Sequence, residues 1–160
     1  MTDAKQPEKQ TEQKVSINVL AQYVKDLSFE NPNIVKMLST QQENPDINVN
    51  VQVHAQPAGA EVGEGVFEVT LTVEAKAKQK EEVVFLVELI YGGLFSLPGA
   101  NEELLKPFLL IECPRLLFPF ARQIVADVTR DGGMPPLLLS PVDFAELYHQ
   151  QAAQSKEVAH

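Results

Sequence analysis

The chain has 160 residues, 44% of them hydrophobic and 22% charged, and carries a formal net charge of -9. That length supports one domain with a real core but not two substantial ones, and the hydrophobic content is that of an ordinary globular chain. The acidity works against nucleic acid or anionic lipid as partners, because both attract positive potential; a basic partner fits it, and so does acidity that serves solubility alone.

Met1 to Lys14 is polar, with Lys5, Lys9 and Lys14 but no apolar stretch behind them of the kind a secretory signal needs. Residues 1–14 are therefore expected to be a disordered tail on a protein that stays in the cytoplasm. No apolar run in the chain approaches a bilayer span. From Val15 the odd positions read Val15, Ile17, Val19, Ala21, Tyr23, Lys25, Leu27 and Phe29, which predicts a strand with one wet face. Asn31-Pro32-Asn33 stops it, since proline fixes its own backbone angle and restricts the residue before.

A turn-rich connection through Asn44-Pro45-Asp46 leads to a second strand with Ile47, Val49, Val51, Val53 and Ala55 on one face. The glycine-bearing loop Gln56 to Gly65 suits a link between antiparallel strands. A third strand sets Phe67, Val69, Leu71, Val73, Ala75 and Ala77 against Glu68, Thr70, Thr72, Glu74, Lys76 and Lys78. After a tight turn near Gln79-Lys80, the fourth strand is apolar on both sides: Val83, Phe85, Val87, Leu89 and Tyr91 on one, Val84, Leu86 and Ile90 on the other. A sheet with helices on one side only leaves its second face in water, so either another subunit meets this strand there or a further segment of the same chain does.

Gly92-Gly93 is expected to end the fourth strand. Asn101 then reads as an N-cap with Glu102 and Glu103 in the first turn, and Pro107, Pro114 and Pro119 break the next stretch of chain into short pieces. A longer helix is predicted over Leu117 to Arg130, its stripe formed by Leu117, Ala121, Ile124 and Val128 and its end by Gly132-Gly133. Ser140-Pro141 with Asp143 signals a last helix, in which Phe144, Leu147, Tyr148 and Gln151 share a face. Residues 152–160 are polar and patternless and are expected to be a mobile tail.

Catalytic and metal-binding patterns are missing. His54, His149 and His160 are scattered, no second cysteine accompanies Cys113, and there is no phosphate-cradling glycine loop, dinucleotide fingerprint or nucleophile elbow. The prediction is no enzyme, no cofactor and no metal. Cys113 sits between Glu112 and Pro114 in apolar sequence, which suits buried packing better than a nucleophilic thiolate. Asp26 and Glu30, four apart on a strand, stand about 13 Å apart, too far for an interacting acid dyad.

Four segments carry a resemblance: Lys25-Asp26-Leu27-Ser28-Phe29-Glu30-Asn31-Pro32, Gly92-Gly93-Leu94-Phe95-Ser96, Cys113-Pro114-Arg115-Leu116-Leu117-Phe118-Pro119-Phe120-Ala121-Arg122, and Leu139-Ser140-Pro141-Val142-Asp143-Phe144. In order and spacing, from about Val15 to Tyr148, the chain resembles the SecB family of bacterial protein-export chaperones. The resemblance implies an α+β fold over residues 15–151: a four-stranded antiparallel sheet followed by helices packed on one face, assembling as a dimer of dimers. It implies unfolded preproteins as clients, delivery to the export motor SecA, and no nucleotide; any zinc would belong to the motor's small tail.

Positions that matter in the family for motor binding correspond to Asp26, Glu30, Leu86 and Glu88. Alternation puts the first two on one face and the last two on one face, which makes a flat acidic docking surface plausible. Val87, Leu89 and Tyr91 match positions sensitive in assembly, with plain core packing as the other reading. Phe144 and Tyr148 resemble aromatics near the client groove, although their helical spacing also suits a core. The chain departs from relatives that carry a tryptophan in the linker Ile34 to Glu43, since it has none. A holding chaperone fits several weak apolar patches on one extended chain better than one shaped pocket. A small-ligand carrier, binding stoichiometrically as a monomer, and an enzyme assembled across subunits around strongly shifted titratable groups are the alternatives.

Overall fold

The computed structural model describes residues 15–40 and 43–158. Four strands, β1 (Asn18–Glu30), β2 (Asp46–Pro57), β3 (Val66–Gln79) and β4 (Glu82–Ser96), form one antiparallel sheet in the order β1-β4-β3-β2. The helices are α1 (Ile34–Ser39), α2 (Glu102–Pro107), α3 (Cys113–Asp131) and α4 (Phe144–Val158), with one stretch of π-helix at Phe108–Glu112 between α2 and α3. This is the expected α+β arrangement.

Alternation in the central strands builds the core. Val69, Leu71, Val73, Ala75 and Ala77 of β3 and Phe85, Val87 and Leu89 of β4 are buried on one side of the sheet, where they meet Leu117, Ala121 and Val125 of α3. The β3–β4 hairpin turns through Lys80 and Glu81 at φ 49° and 67°, the left-handed pair that matches strand twist in a tight hairpin. Gly92-Gly93 does not end β4, which runs on to Ser96. The glycines are there for space: a Cβ on Gly93 would lie 2.7 Å from the Phe95 ring and 3.0 Å from Leu117.

The prolines break the helical region less than expected. Pro107 ends α2, and the π-helical stretch after it carries the chain into α3 without a loop. Pro114 stands in the first turn of α3, which begins at Cys113, four residues before the expected start. Pro119 is accommodated inside it. The buried stripe is Leu117, Ala121, Val125 and Thr129, with Ile124 and Val128 half-buried beside it. Gly133, at φ 85°, closes the helix as expected, its N–H donating to the Arg130 carbonyl.

Coil 134–143 is strapped back onto α3. The Thr129 hydroxyl accepts from the Leu137 N–H at 2.9 Å, and Arg122 Nε donates to the Leu139 carbonyl at 2.8 Å. That strap delivers Phe144 to the core. The last helix is capped by Asp143, whose Oδ1 accepts from the Glu146 N–H at 3.1 Å, and not by Ser140. It continues to Val158, so the expected mobile tail from residue 152 is helical through that residue. The expected tail at 1–14 lies outside the described residues. Helix α1 is not expected from the sequence pattern; it is short, and its one buried side chain is Met37.

Candidate docking and client surfaces

The side of the sheet away from α3 is open. Its residues follow from the register, because side chains directly opposite one another share a face. Asp26 pairs with Ile90, Ser28 with Glu88, and Glu30 with Leu86; across β4, Glu88 faces Glu74 and Leu86 faces Lys76. Asp26, Glu30, Leu86 and Glu88 therefore meet on one surface. Its three carboxylates are exposed around a half-buried apolar strip of Leu86, Ile90 and Leu94.

Simple alternation does not predict the whole of β1. Register shifts at Val19/Ala21 and Val24/Asp26 reverse its phase twice. Tyr23 consequently lies opposite Gly92 on the open face, while Leu27 and Phe29 lie opposite Leu89 and Val87 on the helix side. The assumed single apolar face of odd positions is thus corrected by two β-bulges, each of which adds one unpaired residue.

Val87 and Leu89 are fully buried beneath the helices, and Tyr91 is 7% exposed, its hydroxyl donating to Gln22 Oε1 at 3.1 Å. Within the single chain those three side chains pack as core, the other reading open to them from the sequence. Apolar surface suited to a second chain lies nearby instead: Val24 of β1 is 47% exposed and Leu27 42%, and Phe120 of α3 is 50% exposed while stacked on Tyr91 with ring centroids 6.2 Å apart.

Phe144 is likewise core, 1% exposed and edge-on to Phe118 at 5.9 Å between centroids, so it lines no open groove; Tyr148, one turn on, is half-buried. An apolar cleft of about 270 Å³ does exist elsewhere, between Pro45 and Ile47 on one side and Met134, Pro136 and Leu137 on the other, with Phe85 among its lining residues. The signal for it in the sequence is Met134-Pro135-Pro136-Leu137-Leu138-Leu139, an apolar run with neither helical nor strand period.

Cys113 is fully buried, and burial pushes its thiol up to about 12, with the Glu112 carboxylate adding to the effect. A neutral thiol with no access is inert. In native protein at pH 8, labelling by a maleimide is expected to proceed only as fast as the chain opens, and stoichiometric labelling within seconds would refute the assignment. Among the described residues no group of three or more His, Cys, Asp or Glu is placed to hold a metal ion. No helix among them is long and apolar enough to cross a membrane.

A sheet with one face under helices, the other open, and an apolar cleft at its margin places the chain in the α+β class of folds. A family model described as SecB, preprotein translocase subunit SecB, matches residues 9–155. The protein-export protein SecB of Maricaulis maris is 55% identical over 143 residues, covering 89% of this chain and 81% of that one. That of Bradyrhizobium sp. (strain BTAi1) is 53% identical over 147 residues, covering 89% and 88%. The chain belongs to the SecB family of protein-export chaperones. Among solved structures, the SecB-like chaperone of Mycobacterium tuberculosis in complex with an antitoxin ChAD peptide superposes with a TM-score of 0.60 at 15% identity. The match covers 79% of this chain and 87% of that one, and the likeness is one of fold.

Proposed function

We propose that this chain is a cytoplasmic holding chaperone: as a homotetramer, a dimer of dimers, it binds unfolded preproteins, keeps them competent for export and passes them to SecA without catalysing a reaction. The observation that carries the reading is the convergence of Asp26, Glu30, Leu86 and Glu88, drawn from two strands far apart in sequence, on one exposed face. A basic segment of the motor lying across that face would pair its cations with the carboxylates and rest its aliphatic stems on Leu86 and Ile90.

Exposed Val24, Leu27 and Phe120 support assembly, since clustered apolar surface on the helix side gains from meeting its own copy. The cleft beside Phe85 and Met134 suits single apolar side chains of an extended client. Several such clefts on one particle would hold one chain tightly through effective concentration, which a folded protein with its apolar segments hidden cannot exploit.

Light scattering on the protein with and without an unfolded test protein tests this directly. The expected mass alone is about four times the 17.7 kDa of the chain, rising on addition of the unfolded form and not of the folded one. A monomer, or equal binding of both forms, would sink the reading in favour of a small-ligand carrier.

A further inference from the structure

Docking through Asp26 and Glu30 depends on the side from which they leave β1, and one inserted residue sets that side. Val24 faces Tyr91 and Asp26 faces Ile90, which are consecutive in β4, so Lys25 is the extra residue of a bulge. Before it, Tyr23 points to the open side and Val24 to the helix side. Without the insertion, Leu27 and Phe29 would follow Tyr23 onto the open face, and Asp26, Ser28 and Glu30 would turn toward the helices.

The residues flanking and forming this bulge are tied across the whole sheet. The Tyr23 hydroxyl donates to Glu68. Lys25 Nζ lies 2.8 Å from the other oxygen of the same carboxylate. Glu68 belongs to β3, so both bonds pass over β4, and the Tyr23 ring does so at Gly92: a Cβ there would stand 2.7 Å from its Cε2. Gln56 of β2 adds a third donor to Glu68 at 3.3 Å. One carboxylate on the open face thus links β1, β2 and β3. The Lys25 and Tyr23 bonds hold Glu68 below its usual range, and desolvation with the Glu68 bond pushes Tyr23 up to about 12.

We infer that Tyr23, which packs over Gly92, and its partners Lys25 and Glu68 are positioning residues for motor docking: they pin the bulge at Lys25 and so hold Asp26 and Glu30 toward the partner without touching it. This rests on the docking role proposed above. Tyr23→Phe is the cleanest probe, because it removes one bond and no charge; Gly92→Ala, which pushes the ring away, is the second.

Titrated with purified SecA, Tyr23→Phe is expected to raise Kd about five-fold, and Gly92→Ala by more, with tetramer mass and capture of unfolded protein unchanged. In an Asp26→Asn/Glu30→Gln background, Tyr23→Phe should add nothing, since its effect passes through those two carboxylates. A separate readout needs no motor: amide exchange at Asp26 to Glu30 should quicken in Tyr23→Phe, while that at Val73 and Leu89 stays as it was. An unchanged Kd, unchanged exchange at those positions, or a Tyr23→Phe loss that adds in full to the double variant would overturn the inference. If Asp26→Asn/Glu30→Gln itself leaves SecA affinity intact, the docking role fails and the positioning role with it, while exchange still decides whether the network pins the bulge.

Discussion

Glu88→Lys is expected to weaken SecA binding at least about tenfold at physiological salt while leaving tetramer mass and capture of unfolded protein as they were. Glu88 is exposed between Ser28 on β1 and Glu74 on β3, and it makes no ion pair among the described residues. Two like charges directly across from each other on neighbouring strands disfavour the fold slightly. Reversing one of them replaces that repulsion with attraction, so the variant should fold at least as well as the native chain, and lost binding could not be attributed to damage. The same substitution puts a cation where the proposed basic segment would lie. Because screening acts over about 8 Å at 0.15 M salt, native affinity should fall as salt rises and the variant's should fall much less. Isothermal titration at two salt concentrations reads both effects. Equal loss of client capture would mean misassembly and would remove the carboxylates from the docking role.

Phe144→Ala is expected to cost about 3–5 kcal/mol of stability, the usual penalty for emptying a fully buried aromatic site. The residue is the first of α4, and its edge-on contact with Phe118 joins that helix to α3. Without it the C-terminal helix loses its anchor. Denaturant unfolding at fixed protein concentration is the measurement, because assembly makes the midpoint concentration-dependent. Tyr148→Ala, at a half-buried position on the same helical face, should cost about 1 kcal/mol or less. A Phe144→Ala chain as stable as the native one, or a Tyr148→Ala chain as damaged as Phe144→Ala should be, would reverse the assignment of which aromatic is core.

The clean period of two in Phe67 to Lys78 was legible because a central strand meets helices on one face and solvent on the other, so each side chain reports its surroundings. An edge strand has a partner on one side only, and the bulges that adapt β1 to the twisted sheet leave no mark in composition: Leu20 and Lys25 look like any other strand residues. The proposed docking residues share a face in each pair as alternation predicts, because Asp26 and Glu30 both follow the second bulge and no irregularity separates Leu86 from Glu88. The apolar cleft was harder to find. Phe144 and Tyr148 have the same spacing whether a helix face meets a core or a ligand, and the cleft beside Phe85 joins segments about ninety residues apart.

Strand number, antiparallel order along the chain, the N-cap at Asn101, the glycine stop of the long helix and the buried nature of Cys113 were determined by the sequence alone. Each depends on neighbours within a turn or a strand, where backbone geometry and side-chain size act directly. Tertiary structure alone decided the continuation of β4 through Gly92 and Gly93, the long helix through Pro114 and Pro119, the core burial of Val87, Leu89 and Phe144, and the meeting of Asp26, Glu30, Leu86 and Glu88 on one face. Those outcomes turn on what another segment brings to the same spot: the Tyr23 ring that needs the space over Gly92, the Leu117 side chain that needs the space at Gly93, and the register that sets Glu30 opposite Leu86.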